Sequence, residues 1–400
     1  MSDDEEDDVG IKAGTVVDSS KANYVVMKLL GEGGFGAVYK VHDQKDPSKV
    51  YAMKVEKKLE SRRHSKLKME IAILKLVSAE RKQSHFTTII DRGKKETYFF
   101  LVMELVGKSL SDLKSKRPNK VFSVSTGMGA GIQCLEACED LHKYGFIHRD
   151  LKPANYACGL GDKKRVIYIL DFGIARKILN VKGELKTPRQ SVRFKVGQFP
   201  LDATCVRLSE ALIYLWEIFY GDRSTRHEIL NEKNARPSRG RKRMRLSCDC
   251  DATGPYSSSY SRTRGTIRFA SLSCHKNAEM GPKDDCESWY YLLLDIAVPK
   301  GIIWRSINDK NEVLKVKEQL RKEKRETALG AMKCKEELGK VLDYIDSLKY
   351  HDRVDYDFIY KMLTQAAKTE GGDINDPYDW EKSEKPAMTA PTCKSTANSH

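Results

Sequence analysis

Up to Gly107 the chain reads as short β-branched and aromatic runs parted by turn residues, and beyond it mainly as helices. This change of period limits the possible folds more than any other feature. Tyr24–Leu30, Ala37–Val41 and Val50–Val55 have the composition of a β-meander, and Thr87–Ile90 and Tyr98–Val102 continue it. Between them Leu67, Ile71 and Leu74 stand at i, i+4 and i+7, the stripe of one amphipathic helix. Later helices are expected over Gly129–His142 and around Asp284–Ile296, Lys310–Glu326, Cys334–Leu348 and Tyr356–Ala367. The expected fold class is α+β and two-lobed, with a small β-rich lobe over about 21–106 and a larger helical lobe over about 107–370. Residues 1–20 are acidic, then small and polar; residues 371–400 are aperiodic and carry Pro, Ser, Thr and Lys. Both stretches are expected to be disordered tails.

Composition narrows the setting. Hydrophobic residues at 40% and charged residues at 32% describe a globular chain with solvated edges. The 71 Lys+Arg against 56 Asp+Glu leave +15, which suggests acidic partners: nucleic acid, phosphoprotein, membrane surface or nucleotide. A typical long apolar run, Ala211–Trp216, is flanked by Glu210 and Glu217 and falls far short of the roughly 20 residues of a membrane span. The acidic start, Asp3 to Asp8, is the opposite of a secretory signal. Ten cysteines, mostly on helical or core-like stretches, read as reduced thiols. A cytoplasmic or nuclear monomer is expected, with neither membrane nor nucleic acid as its partner.

The chemistry begins at Gly31-Glu32-Gly33-Gly34-Phe35-Gly36. This G-x-G-x-x-G is weak alone, because two nucleotide folds share it and ordinary turn glycines match it too. In a dinucleotide fold the last glycine would open a helix. Here Ala37–Val41 is a strand, and 18 residues after Gly36 comes Lys54 in Tyr-Ala-Met-Lys-Val. A glycine hairpin lets backbone amides approach phosphate oxygens while a strand-borne lysine supplies fixed positive charge. Glu70, on the following helix and off its Leu67-Ile71-Leu74 stripe, is the expected ion-pair partner of Lys54. The strongest motif is His148-Arg149-Asp150-Leu151-Lys152-Pro153-Ala154-Asn155, H-R-D-L-x-x-x-N in full. Asp150 suits the carboxylate that orients and deprotonates an attacking hydroxyl, and Asn155 a neutral oxygen ligand for magnesium. Lys152 would steady the moving phosphoryl and points to serine or threonine acceptors. Asp171-Phe172-Gly173 follows the strand-like Val166–Leu170 and offers Asp171 as the second magnesium ligand.

With these motifs in place the chain resembles the eukaryotic protein kinases. In finer spelling it resembles the casein kinase I superfamily, closest to its tau-tubulin-kinase-like branch. Leu30–Tyr39, Phe146–Asp150, Lys152–Tyr156, Ile169–Arg176, Gly265–Ser271 and Asp284–Trp289 carry the likeness, which covers roughly residues 21 to 367 with one large gap. The resemblance implies ATP and Mg2+ as cofactors. It implies a nucleotide site formed by Leu30, Gly31, Gly33, Gly34 and Gly36, with Val38 and Ala52 over adenine, Lys54 at the phosphates, and Met103, Glu104 and Leu105 in a hinge running to Val106. Asp285 would hold the catalytic loop from below. Where most kinases carry Ala-Pro-Glu, this chain has Ala270-Ser271-Leu272, so the usual Glu–Arg anchor of the activation segment is not expected. Protein substrates that are acidic or already phosphorylated are implied, met by Thr266, Arg268 and, more loosely, Lys315.

One stretch fits nothing around it. Deleting Lys195–Thr263 joins Phe194 to Arg264 in an uninterrupted family-like activation segment. The deleted piece combines the greasy Ala211–Trp216 with the basic Arg239–Arg245, and holds 12 Lys+Arg against 8 Asp+Glu, so the rest of the chain stays basic without it. It could be a regulatory insert with a nuclear address, a loop without function, or an intron carried into the translation; the last is preferred, because exposed aromatics in such a loop invite aggregation. A pseudokinase or scaffold blocked by this piece is the alternative to an active enzyme. Cys248-Asp249-Cys250 lacks a second ligand pair for zinc. His142 and His275 are expected to be structural.

Overall fold

The structure, a computed structural model, describes residues 10–33, 36–58, 65–77, 83–180, 183–187 and 264–381. The chain divides into one unit of residues 1–190 and 258–400 and a second of 191–257. The second unit, with most of the suspected insert, lies outside the described residues, as do Gly34 and Phe35.

The small lobe is a six-stranded antiparallel sheet of β1 (Val16–Asp18), β2 (Asn23–Gly33), β3 (Gly36–Asp43), β4 (Val50–Lys57), β5 (Ile89–Lys94) and β6 (Tyr98–Glu104), ordered β1-β2-β3-β4-β6-β5. Strand alternation builds its core: Ala37, Tyr39 and Val41 of β3 are buried while the residues between them are half-exposed. Helix α1 (Lys66–Val77) buries Leu67, Glu70, Ile73, Leu74 and Val77. The inward face is therefore not the expected Leu67-Ile71-Leu74 stripe, because Ile71 is only half-buried and Glu70 is drawn inward by Lys54. The strand expected at Thr87–Ile90 runs instead over Ile89–Lys94. Its polar residues are tolerated because Asp91 is buried against the Tyr24 hydroxyl, at 3.1 Å, and Ser19.

The larger lobe holds α2 (Leu110–Ser115), α3 (Val124–Lys143), β7 (Phe146–Ile147), β8 (Tyr156–Cys158), β9 (Ile167–Ile169), β10 (Arg176–Lys177), α4 (Arg264–Phe269), α5 (Leu272–His275), α6 (Pro282–Ala297), α7 (Lys310–Leu320), α8 (Arg325–Leu329), α9 (Lys335–Ser347) and α10 (Tyr356–Thr369). From Asp284 to Ala297 every residue of α6 is buried, so it forms the pillar of the lobe. It lies close on α3 because two positions there lack a side chain. A Cβ on Gly127 would stand 2.6 Å from that of Ala297, and one on Gly131 would meet Leu293 at 2.7 Å. The Trp289 indole N–H donates to Gly131 O at 2.8 Å. The helix expected over Lys310–Glu326 is two, with a break between Leu320 and Arg325.

Residues 10–20 and 371–381, expected within the two tails, are folded against the rest of the chain. Ile11 is buried beside Val17, and β1 pairs with β2 through Val17 and Tyr24. At the other end Tyr378 and Asp379 are buried. The Tyr378 hydroxyl accepts from Gln133 at 2.8 Å, the Arg165 guanidinium lies 4.3 Å from its ring, and Asp379 accepts from the Ser123 amide at 2.8 Å. The Trp380 indole donates to Lys164 O at 2.9 Å. An irregular segment anchored by two aromatic knobs has no period to read. Tyr378→Ala is expected to lower the unfolding free energy by about 3 kcal/mol, measured by urea denaturation; an unchanged midpoint would show that the segment adds nothing.

Candidate active site

The hairpin of β2 and β3 sets Gly31 opposite Val38, Glu32 opposite Ala37 and Gly33 opposite Gly36. Gly36 sits at φ +134°, and a Cβ there would fall 1.9 Å from Val55 O, so only glycine lets β3 start this close to β4. Gly31 and Gly33 face open space, and Leu30 is exposed beside them. Val38 pairs with Lys54, and Ala52 pairs with Met103. Met103 is buried, while Glu104 and Leu105 beyond it are half-buried. The Glu104 amide donates to Thr88 O at 2.9 Å, and its carboxylate takes Lys163 at 2.8 Å.

The Lys54 ammonium donates to Glu70 Oε2 at 2.6 Å and to Asp171 Oδ1 at 3.0 Å. Burial disfavours its charge, but the two carboxylates outweigh that and hold the amine above its ordinary value. Burial likewise pushes the Asp171 carboxyl upward, yet Lys54 and the Gly173 amide hold it below its usual range. Asp171 adopts φ +63°, an uncommon conformation for a residue with a side chain. Phe172 fixes it there, buried between Phe86, at 5.9 Å between ring centres, and His148, at 5.5 Å.

The loop after β7 is tied from beneath. Asp285, fully buried on α6, accepts the amides of His148 at 2.6 Å and Arg149 at 2.9 Å, and His142 at 2.9 Å. Burial raises this carboxyl, but the His142 bond and the charge beside it bring it below its ordinary value. Arg149 sits at φ +69° and donates to Ile174 O at 2.8 Å, joining this loop to the segment after Phe172. Asn155 Nδ2 donates to Asp150 O at 2.8 Å, and Lys152 Nζ to Asp150 Oδ2 at 2.6 Å. The structure thus gathers Lys54, Glu70 and Asp171 in one cluster and Asp150, Lys152 and Asn155 in another. His148 links the two, packing on Phe172 while its Nε2 lies 3.2 Å from Leu170 O, the residue before Asp171.

Asn155 and Asp171 offer hard oxygen donors. The Asn155 amide nitrogen is occupied by Asp150, which leaves its carbonyl oxygen as the ligand atom. One carboxylate and one neutral oxygen suit a magnesium ion that shares its remaining positions with phosphates and water. Among the described residues no group of three or more His, Cys, Asp or Glu forms an all-protein metal cage.

The end of the activation segment is anchored by residues that sequence reasoning missed. Lys317 of α7 is fully buried and donates to Ile267 O at 3.0 Å, Ala270 O at 2.6 Å and His275 Nε2 at 3.1 Å. Burial, with Glu287 opposing, pushes its amine down to about 7. Glu287 accepts the Leu272 amide at 3.0 Å and Arg321 at 2.8 Å. A Glu–Arg pair is therefore present, with its glutamate supplied by α6 instead of by the segment itself. Of the expected substrate residues, Thr266 lies in α4 with its side chain outside the description. Arg268 is half-buried and donates to Arg305 O at 3.4 Å, and the exposed Arg305 also pairs with Asp295. Lys315 is exposed and lines a shallow surface cleft with Leu272, Lys276 and Glu318. The cation beside Arg268 is Arg305, which no motif had marked.

The His275 ring is pushed from 6.5 to about 3, first by burial and then by Lys317. Its folded form resists protonation more than its unfolded form does. Its stabilising effect is thus complete above about pH 6.5 and is lost as pH falls from there toward 3. Urea midpoints should drop on acidification through that window, and His275→Gln should flatten the drop. An equal slope in the variant would remove His275 from the account.

The Protein kinase domain family matches residues 24–195, ending at the residue where the suspected insert begins. The chain is 25% identical over 374 residues to a "probable serine/threonine-protein kinase" of Dictyostelium discoideum, covering 93% of this chain but only 59% of that protein. It is 25% identical over 382 residues to the serine/threonine-protein kinase spe-6 of Caenorhabditis elegans, covering 94% of this chain and 80% of that one. The curled sheet, the helical lobe and the two residue clusters agree with these matches: residues 24–195 carry a protein kinase domain, and the chain is similar over most of its length to serine/threonine-protein kinases.

Proposed function

We propose that this enzyme transfers the γ-phosphoryl of ATP to serine or threonine hydroxyls of proteins, as a casein kinase I type kinase near the tau-tubulin-kinase-like branch. The observation that carries the reading is Lys54 held between Glu70 and Asp171 at 2.6 and 3.0 Å, next to a loop that presents Asp150 and Asn155. Lys54 binds the phosphates and Glu70 keeps its ammonium in place. Asp150 orients the acceptor hydroxyl and takes its proton, and Lys152 neutralises charge on the moving group. Magnesium, held by Asn155 and Asp171, would supply charge neutralisation across the phosphates. Serine/threonine specificity is supported by the names of the relatives and by Lys152. The finer placement is supported by Ala270-Ser271-Leu272 where other kinases carry Ala-Pro-Glu.

Arg268 with Arg305 makes the end of the activation segment basic, which fits acidic or phosphorylated substrates. Lys315 remains a more distant candidate for the same role. A monomer working in the cytoplasm or nucleus is the setting proposed. The scaffold alternative is less favoured, since every polar group of the reaction is present.

Asp150→Asn and Lys54→Met should each cut phosphorylation of casein at least about 100-fold, read by transfer of labelled phosphate. Activity retained in both purified variants would overturn the kinase reading. Arg268→Gln should raise KM for a pre-phosphorylated peptide about tenfold and leave KM for ATP unchanged. Equal KM values for phosphorylated and unphosphorylated peptides in the unmodified enzyme would overturn the substrate preference.

A further inference from the structure

Glu56 lies two residues beyond Lys54 on β4, so both side chains leave the same face of the strand. It is 3% exposed, although it is a glutamate near the end of a strand. Its Oε1 accepts the Lys66 amide at 3.0 Å, and its Oε2 accepts the Leu67 amide at 2.8 Å and the Ser65 hydroxyl at 2.5 Å. Ser65 Oγ in turn accepts the Lys68 amide at 3.2 Å. The first-turn amides of a helix have no partners within the helix and carry its positive end. Helix α1 has no acidic residue in its own first turn, so the carboxylate arrives from the neighbouring strand.

The strand therefore grips the helix twice. Glu56 fixes its start, and Lys54 fixes Glu70, four residues and about one turn further on. With one contact alone α1 could pivot about it; with two on a single strand face, the orientation of Glu70 is set. We propose that Glu56 is a positioning residue for phosphoryl transfer: it clamps the start of α1 so that Glu70 meets Lys54. The proposal rests on the kinase reading above. Glutamine cannot replace it fully, since one arm of its amide is a donor and would face a backbone N–H instead of accepting from it.

The test uses the full chain with MgATP and casein, comparing unmodified enzyme, Glu56→Gln, Glu56→Ala and Ser65→Ala, together with hydrogen exchange. Glu56→Gln should lower kcat at least tenfold with KM for casein within twofold of its starting value. It should speed exchange of the amides at 66–70 while those at 148–155 stay protected. Ser65→Ala, which keeps the carboxylate, should lower kcat two- to threefold, and it decides the matter with Glu56→Gln should Glu56→Ala fail to fold. Unchanged kcat in Glu56→Gln would overturn the proposal, and so would a loss of kcat with exchange quickened equally in both lobes. Unmodified enzyme no more active than Asp150→Asn would instead overturn the kinase reading, and the exchange at 66–70 would then decide the clamp by itself.

Discussion

A single ammonium holds the site together. Lys54 comes from a strand, Glu70 from a helix and Asp171 from the turn after β9, and the ammonium of the first bonds the carboxylates of the other two. A buried charge that loses its partner is left uncompensated, at about 3–5 kcal/mol. The pairing is therefore weak as a source of stability and strong as a constraint on geometry. It requires α1 to face the sheet through a glutamate, and it requires Asp171 to stay at positive φ with Phe172 buried beneath it. The glycine hairpin joins the same constraint, because Gly36 brings β3 against Val55, one residue from Lys54.

The larger lobe solves a different problem. The end of the activation segment is two short helices, α4 and α5, and the carbonyls and amides at their ends need partners once they are out of water. Lys317 gives two of them a donor and Glu287 takes an amide, so one charge of each sign secures the segment from α7 and α6. Arg321, bonded to Glu287, to the Tyr291 hydroxyl at 2.7 Å and to Asp346 at 3.0 Å, balances the carboxylate. The absence of Ala-Pro-Glu from the sequence thus moved the anchor without removing it.

The motifs were legible because each is a local spacing imposed by chemistry. The interval from Gly36 to Lys54 follows from two strands and a turn, and that from Asp150 to Asn155 from one short loop. Long-range partners were harder. Glu70 was found as a partner for Lys54 but misplaced relative to the helix's buried face, because an apolar stripe cannot show that an ion pair has turned a glutamate inward. Arg305 next to Arg268, the packing of Tyr378 on α3 and that of Trp380 on Phe122 left no local trace. Each depends on a contact between residues that the chain brings together only on folding.

The missed residues share a physical type. Glu56, Lys317 and, apart from family likeness, Asp285 are buried titratable side chains that each bond two backbone groups at once. Hydropathy reading places such residues at the surface, and reading by charge pairs looks for a partner of the other sign. Their positions follow from another demand. Wherever a helix start, a catalytic loop or a substrate segment leaves amides or carbonyls without partners, a charged side chain from the adjoining rigid element can satisfy several at once. In this enzyme that rigid element is β4 for the helix bearing Glu70, α6 for the loop bearing Asp150, and α7 for the segment bearing Arg268. Three parts of the candidate site are thereby each referred to a neighbouring element of the fold, and the sequence encodes the reference in a few buried charged residues.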